Sequence, residues 1–158
     1  MPHACIGADV ITGTPGETEE EFLKTHAFLR SIPVDYLHVF TYSERANTTA
    51  VRMDDAIPME LRRERTKQLR ILSNKLQRAF YRRHQGSIRD VLVEHEENEG
   101  LLHGYTDNYI RVSVPHDTSL INRVVPMELG PLDGNHHAQG TVQETTITAS
   151  NGPLTSAI

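Results

Sequence analysis

The sequence predicts an α/β unit followed by a small all-β barrel, with one long basic helix between them. Three observations lead to this fold class. An apolar run over residues 6–12 stops at a Gly/Pro-rich turn and is followed by a helical pattern and a second apolar run, which is the order of a βαβ unit. Apolar residues then recur at three- and four-residue intervals over 59–84. After Gly86 the pattern changes to short alternating runs separated by turn residues, which is typical of a small barrel.

The first element is a strand over residues 6–12 that ends in a tight turn at 13–17. Thr18 is a good N-cap for a helix over 18–31, and Glu21, three residues later, completes a capping box. This order exposes backbone N–H groups beside the positive end of a helix. The turn therefore suits a polar or anionic ligand, although an ordinary βα turn would have the same sequence.

The second strand covers residues 36–42, and its pairing with the first strand should be parallel. Asp9 is an unusual acid within the first strand, so we expect it to have a partner or to face a barrel interior. Aromatic residues, including Phe40 and Tyr42, occupy alternate positions of the second strand, which places them on one face. Core packing and a ligand-facing role both remain open for them.

A loop over 43–58 precedes the long helix, which we predict over 59–84, with Pro58 near its start and Gly86 after its end. Leu69, Leu72, Leu76 and Phe80 give this helix one apolar face. Nine basic side chains crowd the same helix: Arg62, Arg63, Arg65, Lys67, Arg70, Lys75, Arg78, Arg82 and Arg83. Phosphate contacts need such cations, but a solvated face, or docking against acidic surface of the same chain, also fits.

The barrel strands are predicted from alternation and turn residues. Four of them cover 88–94, 101–105, 109–114 and 124–129, a further strand lies near 140–147, and a disordered tail begins at about Ala149.

Charge is distributed unevenly along the 158 residues, whose net charge is −5. Residues 59–90 hold 10 basic and 3 acidic side chains, whereas residues 91–158 hold 2 basic and 9 acidic ones. The middle segment therefore predicts a local basic stripe on an acidic chain.

The lone Cys5 excludes an internal disulfide and fits a reducing, cytoplasmic location. We find no apolar run that approaches the roughly 18 residues of a membrane span.

Four sequence blocks resemble one enzyme family. GADVITGTPGETEEEF (7–22), DYLHVFTYSERANTTA (35–50), the basic segment 62–81 and GYTDNYIRV (104–112) are similar, in this order, to stretches of the radical-SAM tRNA methylthiotransferases. Together they cover roughly residues 6–130. The YLHVF and GYTDNYIRV segments are most similar to the subfamily that modifies threonylcarbamoyladenosine in tRNA.

The resemblance implies a domain organisation and an activity. Residues 1–86 would be the C-terminal part of a radical-SAM barrel with its linking helix, residues 87–148 a TRAM β-barrel, and residues 149–158 a tail. The whole enzyme would add a methylthio group to adenosine 37 of tRNA, with S-adenosylmethionine as radical source and methyl donor. The partners would be tRNA and the remainder of the enzyme upstream of residue 1, with no membrane.

The resemblance also implies site residues. A wall of the S-adenosylmethionine site would come from Asp9, Gly13, Gly16, Glu17, Phe40 and Tyr42. The tRNA contacts would come from Arg45, Arg78, Arg82, Arg83, Tyr105, Asn108, Tyr109 and Arg111, where rings stack on bases and guanidinium groups bind phosphates. We predict no catalytic residue and no metal ligand in this chain. His136 and His137 lack a third ligand at suitable spacing.

The cysteine count limits what the chain can do. The family holds [4Fe–4S] clusters, one of them on a CxxxCxxC motif, and a cluster needs three or four thiolates. Cys5 alone cannot hold one, so we expect no bound cofactor and no catalysis by this chain alone. Two alternatives remain: a stand-alone RNA-binding module, and part of a related enzyme that thiolates a ribosomal protein, which the acidic barrel would suit.

Overall fold

The structure is a computed structural model and describes residues 1–45, 47–53 and 55–143. The first half holds strand β1 (Gly7–Thr12), helix α1 (Glu19–Ser31), strand β2 (Tyr36–Thr41) and helix α2 (Met59–Arg83). The second half holds five strands: β3 (Ile88–Asn98), β4 (Leu101–Thr106), β5 (Arg111–Pro115), β6 (Val124–Leu132) and β7 (Ala138–Val142). Short 3₁₀ turns lie at Thr49–Arg52 and Thr118–Leu120.

The first half forms the predicted βαβ unit. β1 and β2 pair in parallel, from Gly7 opposite Tyr36 to Thr12 opposite Thr41. Helix α1 begins at its predicted cap, because Thr18 Oγ1 accepts a hydrogen bond from Glu21 N at 3.2 Å. The carboxylate of Glu21 contacts Lys24 Nζ at 2.9 Å.

Within the described residues, the two-stranded sheet is covered on one face only. Leu37 and Val39 of β2 pack in one buried cluster with Phe22 and Leu29 of α1 and with Leu69 of α2. The opposite face is exposed, and we call it the open sheet face: Asp9, Ile11, His38 and Phe40. Ile11 and Phe40 are 58% and 51% exposed there. Asp9 is exposed there because no element of the described residues covers this face of its strand. Its predicted position facing a barrel interior stays a prediction.

Helix α2 belongs to two hydrophobic cores. The predicted apolar face is confirmed, with Leu69 and Leu72 packed under the sheet. About two to three turns further along, Phe80 and Tyr81 pack into the core of the barrel. The 25-residue helix thereby connects the two halves through buried side chains.

The second half is a closed barrel in the order β3-β4-β5-β7-β6, with β6 paired back to β3. Its buried core holds Val91, Val93, Leu102, Ile110, Val112, Met127 and Leu129, among others. We expected an antiparallel barrel. One ladder differs, because β5 and β7 pair in parallel at Val112–Ala138 and Ser113–Gln139. This ladder closes the barrel between strands that are not neighbours in sequence.

The bounds of the last strand differ from the sequence prediction. The last strand begins at Ala138 rather than near residue 140, and it ends at Val142. The rest of its predicted range, from 144 on, and the predicted tail lie outside the described residues. The predicted domain boundary at residue 86 stays a prediction, since α2 contributes to both cores.

Candidate nucleic-acid interface

A cleft of about 690 Å³ lies where α2 passes from the sheet to the barrel. One side is α2 with the neighbouring strand β2, and the other side is the barrel together with the β6–β7 loop. Most of its wall is polar or aromatic: Tyr36, His38, Ser73, Asn74, Gln77, Arg78, Tyr81, Tyr105, Tyr109, Arg111, Asn135, His136 and His137, with Cys5 and Leu37. The cleft brings together four of the predicted RNA-contact residues: Arg78, Tyr105, Tyr109 and Arg111.

Tyr109 extends into solvent because the turn before β5 turns its side chain outward. Its φ is 63° and its ring is 73% exposed. The buried Tyr81 hydroxyl holds the turn, since it donates to Tyr109 O at 3.3 Å and accepts from Arg111 N at 3.1 Å. Burial raises the pKa of Tyr81, which keeps this hydroxyl protonated. The exposed ring offers a free face on which a base can stack.

Two guanidinium groups lie on opposite walls of the cleft. Arg78, on α2, donates from Nε to Asn74 O at 3.0 Å and contacts His136 Nε2 through Nη1 at 3.2 Å. Arg111, on β5, lies 5.8 Å from the ring centre of Tyr105. Arg111 Nε is buried and has no hydrogen-bond partner among the described residues. Both walls of the cleft therefore carry a cation.

Asn108 is also predicted to contact RNA, but the structure places it under the turn rather than in the cleft. Its side chain is 6% exposed. Its Oδ1 accepts from Thr106 Oγ1 at 2.6 Å, and its Nδ2 donates to His3 O at 2.9 Å. We leave Asn108 out of the proposed interface because these bonds occupy its amide within the chain.

The remaining predicted arginines do not line the cleft. Arg82 is exposed on α2. Arg83 pairs with Asp35 Oδ1 at 2.5 Å, and the second oxygen of Asp35 accepts from Ile6 N at 2.8 Å. Arg45 is exposed in the loop after β2. In that loop Asn47 has a φ of 65°, a left-handed conformation that asparagine tolerates.

The basic helix has two classes of cation. Arg62 and Arg65 are 4% and 2% exposed, and each pairs with an acid of the first half. Arg62 Nη2 lies 2.5 Å from Glu44 Oε1, and Arg65 Nη1 lies 2.8 Å from Glu17 Oε2. The alternative that the helix docks against acidic surface of its own chain therefore holds for these two and for Arg83. Five further cations are exposed and form no ion pair with an acid among the described residues: Arg63, Lys67, Arg70, Lys75 and Arg82.

The turn after β1 uses its donors internally. Glu17 Oε2 accepts from Gly13 N at 2.7 Å and from Thr12 Oγ1 at 3.3 Å, in addition to Arg65. Gly16 N donates to Asp55 O at 3.0 Å. Gly13 is required by close packing, since a Cβ there would lie 2.5 Å from Arg62 Cγ. Glu17 thus occupies the anion position that the sequence predicts for a ligand.

Side chains of the open sheet face remain accessible. Asp9 and Phe40 are exposed on it, whereas Tyr42 is half-buried, with the Arg62 guanidinium 5.5 Å from its ring centre. The residues predicted for the cofactor site therefore differ in accessibility. Asp9 and Phe40 are exposed on the strands, whereas the turn at 13–17 is hydrogen-bonded within the chain.

Sequence reasoning missed three polar residues of α2 that line the cleft: Ser73, Asn74 and Gln77. Ser73 Oγ accepts from Leu37 N at 2.8 Å and donates to Leu37 O at 3.0 Å, so it covers the outer edge of β2. The sequence position of Ser73 and Gln77 could have identified them, because these two polar residues lie one turn apart on α2 and flank its apolar face.

Cys5 lies at the edge of the cleft, half-buried. Burial and the nearby Asp35 carboxylate raise the pKa of its thiol to about 11, so the thiolate that ligates iron is disfavoured. No group of three His, Cys, Asp or Glu side chains within the described ranges is arranged as a metal site. In the same part of the chain, none of the helices is long and apolar enough to cross a membrane.

Comparison with known proteins gives relatives that cover most of the chain. Residues 82–128 match the TRAM domain family. The chain is 34% identical to the threonylcarbamoyladenosine tRNA methylthiotransferase MtaB of Bacillus subtilis over 133 residues, which is 82% of this chain and 30% of the relative. It is 35% identical to the tRNA-2-methylthio-N(6)-dimethylallyladenosine synthase of Symbiobacterium thermophilum, over 94% of this chain and 32% of the relative. The MtaB of Aquifex aeolicus is 40% identical over 67% of this chain and 26% of its own length.

Proposed function

Since this chain carries a TRAM domain and is related over most of its length to tRNA methylthiotransferases, we propose that it acts as the C-terminal, tRNA-binding part of such an enzyme. The chain spans about a third of the length of these relatives. The observation that carries the proposal is the cleft, where the exposed Tyr109 ring meets Arg78 and Arg111 at the junction of helix and barrel.

The chemistry of the cleft supports RNA as the ligand. An exposed aromatic ring binds an unpaired base by stacking, and guanidinium groups bind phosphates on either side of it. The acidic balance of residues 91–158 does not extend into the cleft, whose charged wall residues, Arg78 and Arg111, are both cationic. Electrostatic attraction is therefore local to this site.

For the modified nucleoside we propose threonylcarbamoyladenosine 37. The YLHVF segment of 36–40 forms most of β2, next to the cleft, and the GYTDNYIRV block of 104–112 supplies Tyr105 and Tyr109 to the cleft wall. Both segments resemble the threonylcarbamoyladenosine subfamily. Relatives named for dimethylallyladenosine are about equally similar, so the nucleoside rests on these two segments.

For the cofactor we propose that the open sheet face forms one wall of an S-adenosylmethionine site. Phe40 and Ile11 offer exposed apolar surface for the adenine, and Asp9 offers a carboxylate for a hydroxyl or ammonium group. The turn at 13–17 shapes this wall through Gly13 and Gly16, while Glu17 keeps the turn closed. The residues of this chain do not fit an iron–sulfur cluster, because Cys5 is its one thiol, and we propose no cluster ligand here.

The proposal is tested with the full chain and an unmodified tRNA, by measuring affinity at several salt concentrations. We expect Tyr109→Ala to weaken binding by about 1–3 kcal/mol and to leave the melting temperature unchanged, because the ring is 73% exposed. Tyr109→Phe, the matched control, keeps the stacking surface and should bind as the wild type does. Equal affinity of Tyr109→Ala and the wild type would refute the role of the cleft.

A second candidate function is part of an enzyme that thiolates a protein. The observation that favours it is the composition of residues 91–158, with 2 basic and 9 acidic side chains, which suits a basic protein surface. The same experiment separates the two candidates. A folded wild-type chain that binds no tRNA even at low salt would favour the protein substrate.

A further inference from the structure

Three concavities follow α2 and share their walls. The cleft is the first. The second, of about 450 Å³, is lined by residues 37–40 of β2 and by Arg70, Ser73 and Asn74. The third, of about 270 Å³, is lined by Thr41 of β2 and by α2 residues that include Arg63, Lys67, Arg70 and Asn74. Because Asn74 lines all three and Arg70 lines the second and third, the three concavities are neighbours along α2, and we call them together the α2 groove.

The cations of the α2 groove lie on one stripe of the helix. Arg63, Lys67, Arg70, Asn74 and Arg78 follow each other at three- and four-residue intervals, so their side chains line one face. From residue 63 to residue 78 this stripe is about 22 Å long, at 1.5 Å per residue. The groove therefore connects the end of β2 at Thr41 with the Tyr109 ring at the barrel.

These cations are available to a ligand. Arg63, Lys67 and Arg70 are exposed, and no ion pair joins them to an acid among the described residues. Arg70 makes one long bond, from Nη2 to Val39 O at 3.4 Å. By contrast, Arg62 and Arg65 on the neighbouring stripe are buried and paired. One stripe of α2 cations therefore forms ion pairs within the fold, and the stripe that lines the groove is left without acidic partners among the described residues.

Three backbone groups on the strand side of the groove are already occupied. Ser73 bonds both the N–H and the carbonyl of Leu37, and Arg70 bonds the carbonyl of Val39. A further β-strand cannot pair with these groups while they are occupied. The groove therefore does not fit an added peptide strand, and its cationic side fits a polyanion.

We infer that the α2 groove binds an unpaired RNA strand of a few nucleotides, which runs from the base stacked on Tyr109 to the carboxyl end of β2. Arg63, Lys67 and Arg70 contact successive phosphates. The inference rests on the proposed function and deepens it, because it assigns a single RNA strand, and not a duplex, to residues 63–78 of α2. These residues precede the TRAM match, which begins at residue 82. A strand suits the site because stacking on Tyr109 requires a base that is free of its partner.

The test uses the full chain and a labelled single-stranded RNA of about eight nucleotides, with a hairpin duplex of equal length for comparison. Fluorescence anisotropy gives the affinity at several salt concentrations. The variant combines Arg63→Gln, Lys67→Gln and Arg70→Gln. We expect it to lower the log–log salt slope for the single strand by about 2, since each phosphate contact on a single strand contributes about 0.7.

Two controls guard against indirect effects. Arg30→Gln removes an exposed cation from α1, away from the groove, and should leave both affinity and slope unchanged. The double variant Arg63→Gln and Lys67→Gln keeps Arg70 and its bond to Val39, and it should lower the slope by about 1.4 with an unchanged melting temperature.

The outcomes separate this inference from the proposed function. If tRNA binding depends on Tyr109 but the groove variants keep the wild-type slope, the inference is overturned and the proposed function stands. Preference for the duplex over the single strand would overturn it as well. If the wild-type chain binds none of the three RNAs, both ideas fail together. A reduced slope in the groove variants, with Arg30→Gln unchanged, supports the α2 groove.

Discussion

Two neighbouring residues of the turn before β5 have opposite roles. Asn108 is buried and Tyr109 is 73% exposed, although both are polar or aromatic residues that commonly contact RNA. The sequence places both in one motif, and it cannot separate them because their roles follow from the turn's backbone. A φ of 63° at Tyr109 directs one side chain outward, and bonds to Thr106 and His3 hold the other inside.

We therefore expect Asn108→Ala to act on folding. The substitution leaves the Thr106 hydroxyl and the carbonyl of His3 without their partner, and an unsatisfied buried group costs about 1–3 kcal/mol. Denaturant unfolding should report this loss of stability. Tyr109→Ala, its matched control on the other side of the turn, should leave stability unchanged. If Asn108→Ala kept full stability but bound tRNA more weakly, the structural role of Asn108 would be contradicted and a direct RNA contact supported.

His84 makes the stability of the chain depend on pH. Burial, together with Arg89, His3 and Arg83 nearby, lowers the pKa of His84 below 6.5, while the Asp35 carboxylate opposes this shift. The ring packs edge-on against Phe80 at 4.7 Å, and Asn108 Nδ2 lies 3.5 Å from Nε2. Because the folded chain favours the neutral ring, the unfolded chain binds more protons at acid pH.

We expect the free energy of unfolding to be level above about pH 6.5 and to fall as the pH drops below it. Urea unfolding between about pH 7.5 and pH 5 measures this. His84→Gln should reduce the loss, whereas His95→Gln, at an exposed position of β3, should not. His137 adds to the loss in the same direction, because burial and Arg111 lower its pKa too. Constant stability across this range would contradict the burial argument.

At the scale of elements, periodicity predicts α2 well and its arginines less well. The helix covers Met59–Arg83, and the predicted apolar face is buried. Arg62 and Arg65 continue this face at the same three- and four-residue spacing, which indicates burial even for a charged residue. Their partners could not be predicted, since Glu17 lies 48 residues from Arg65 and no local pattern connects them.

The barrel was predictable as strands and turns but not as a closed sheet. Alternation located β3 to β6 to within a few residues. The parallel ladder between β5 and β7 could not be predicted, because it joins segments on either side of β6. The candidate site has the same limit: Arg78 and Tyr109 were singled out separately, and the fold alone brings them to one cleft.

Gly104 shows which part of the GYTDNYIRV motif belongs to the barrel. A Cβ at this position would lie 2.4 Å from Leu92 O on the neighbouring strand, and backbone atoms cannot move aside cheaply. We expect Gly104→Ala to destabilise the chain by about 1–3 kcal/mol. Gly134→Ala is the matched control, because no atom of the described residues lies within 4 Å of a Cβ there. Thermal unfolding of both variants measures the difference, and equal melting temperatures would contradict this packing argument.

At the scale of the whole molecule, the two halves differ in how completely they are enclosed. The barrel is closed, and each of its strands pairs with two others. The βαβ unit has one sheet face open, and although Ser73 and Arg70 cover the outer edge of β2, they do not reach β1. Residues 6–42 should thus have the lower local stability.

Hydrogen exchange followed by mass spectrometry measures this difference. We expect faster exchange over residues 6–42 than over 88–129, with β2 slower than β1 because α2 protects its edge. Dilution of the chain serves as a control, since a concentration-dependent rate would indicate that a second copy covers the open sheet face. Equal, strong protection of both segments at low concentration would contradict the argument.

Helix α2 fixes both the distance between the sheet and the barrel and their relative rotation about the helix axis. It is held in the first core by Leu69 and Leu72 and in the barrel core by Phe80 and Tyr81. Each residue added to a helix lengthens it by about 1.5 Å and rotates everything that follows by about 100° around the helix axis. A single insertion between Leu72 and Phe80 would swing the barrel by that angle, because packing at both ends prevents the helix from absorbing it. Tyr109 would then face away from the stripe of Arg63, Lys67 and Arg70. The length of α2 therefore sets the orientation of the barrel relative to the sheet. Over this span, only insertions or deletions close to a whole number of helical turns would keep Tyr109 and the cationic stripe on the same side.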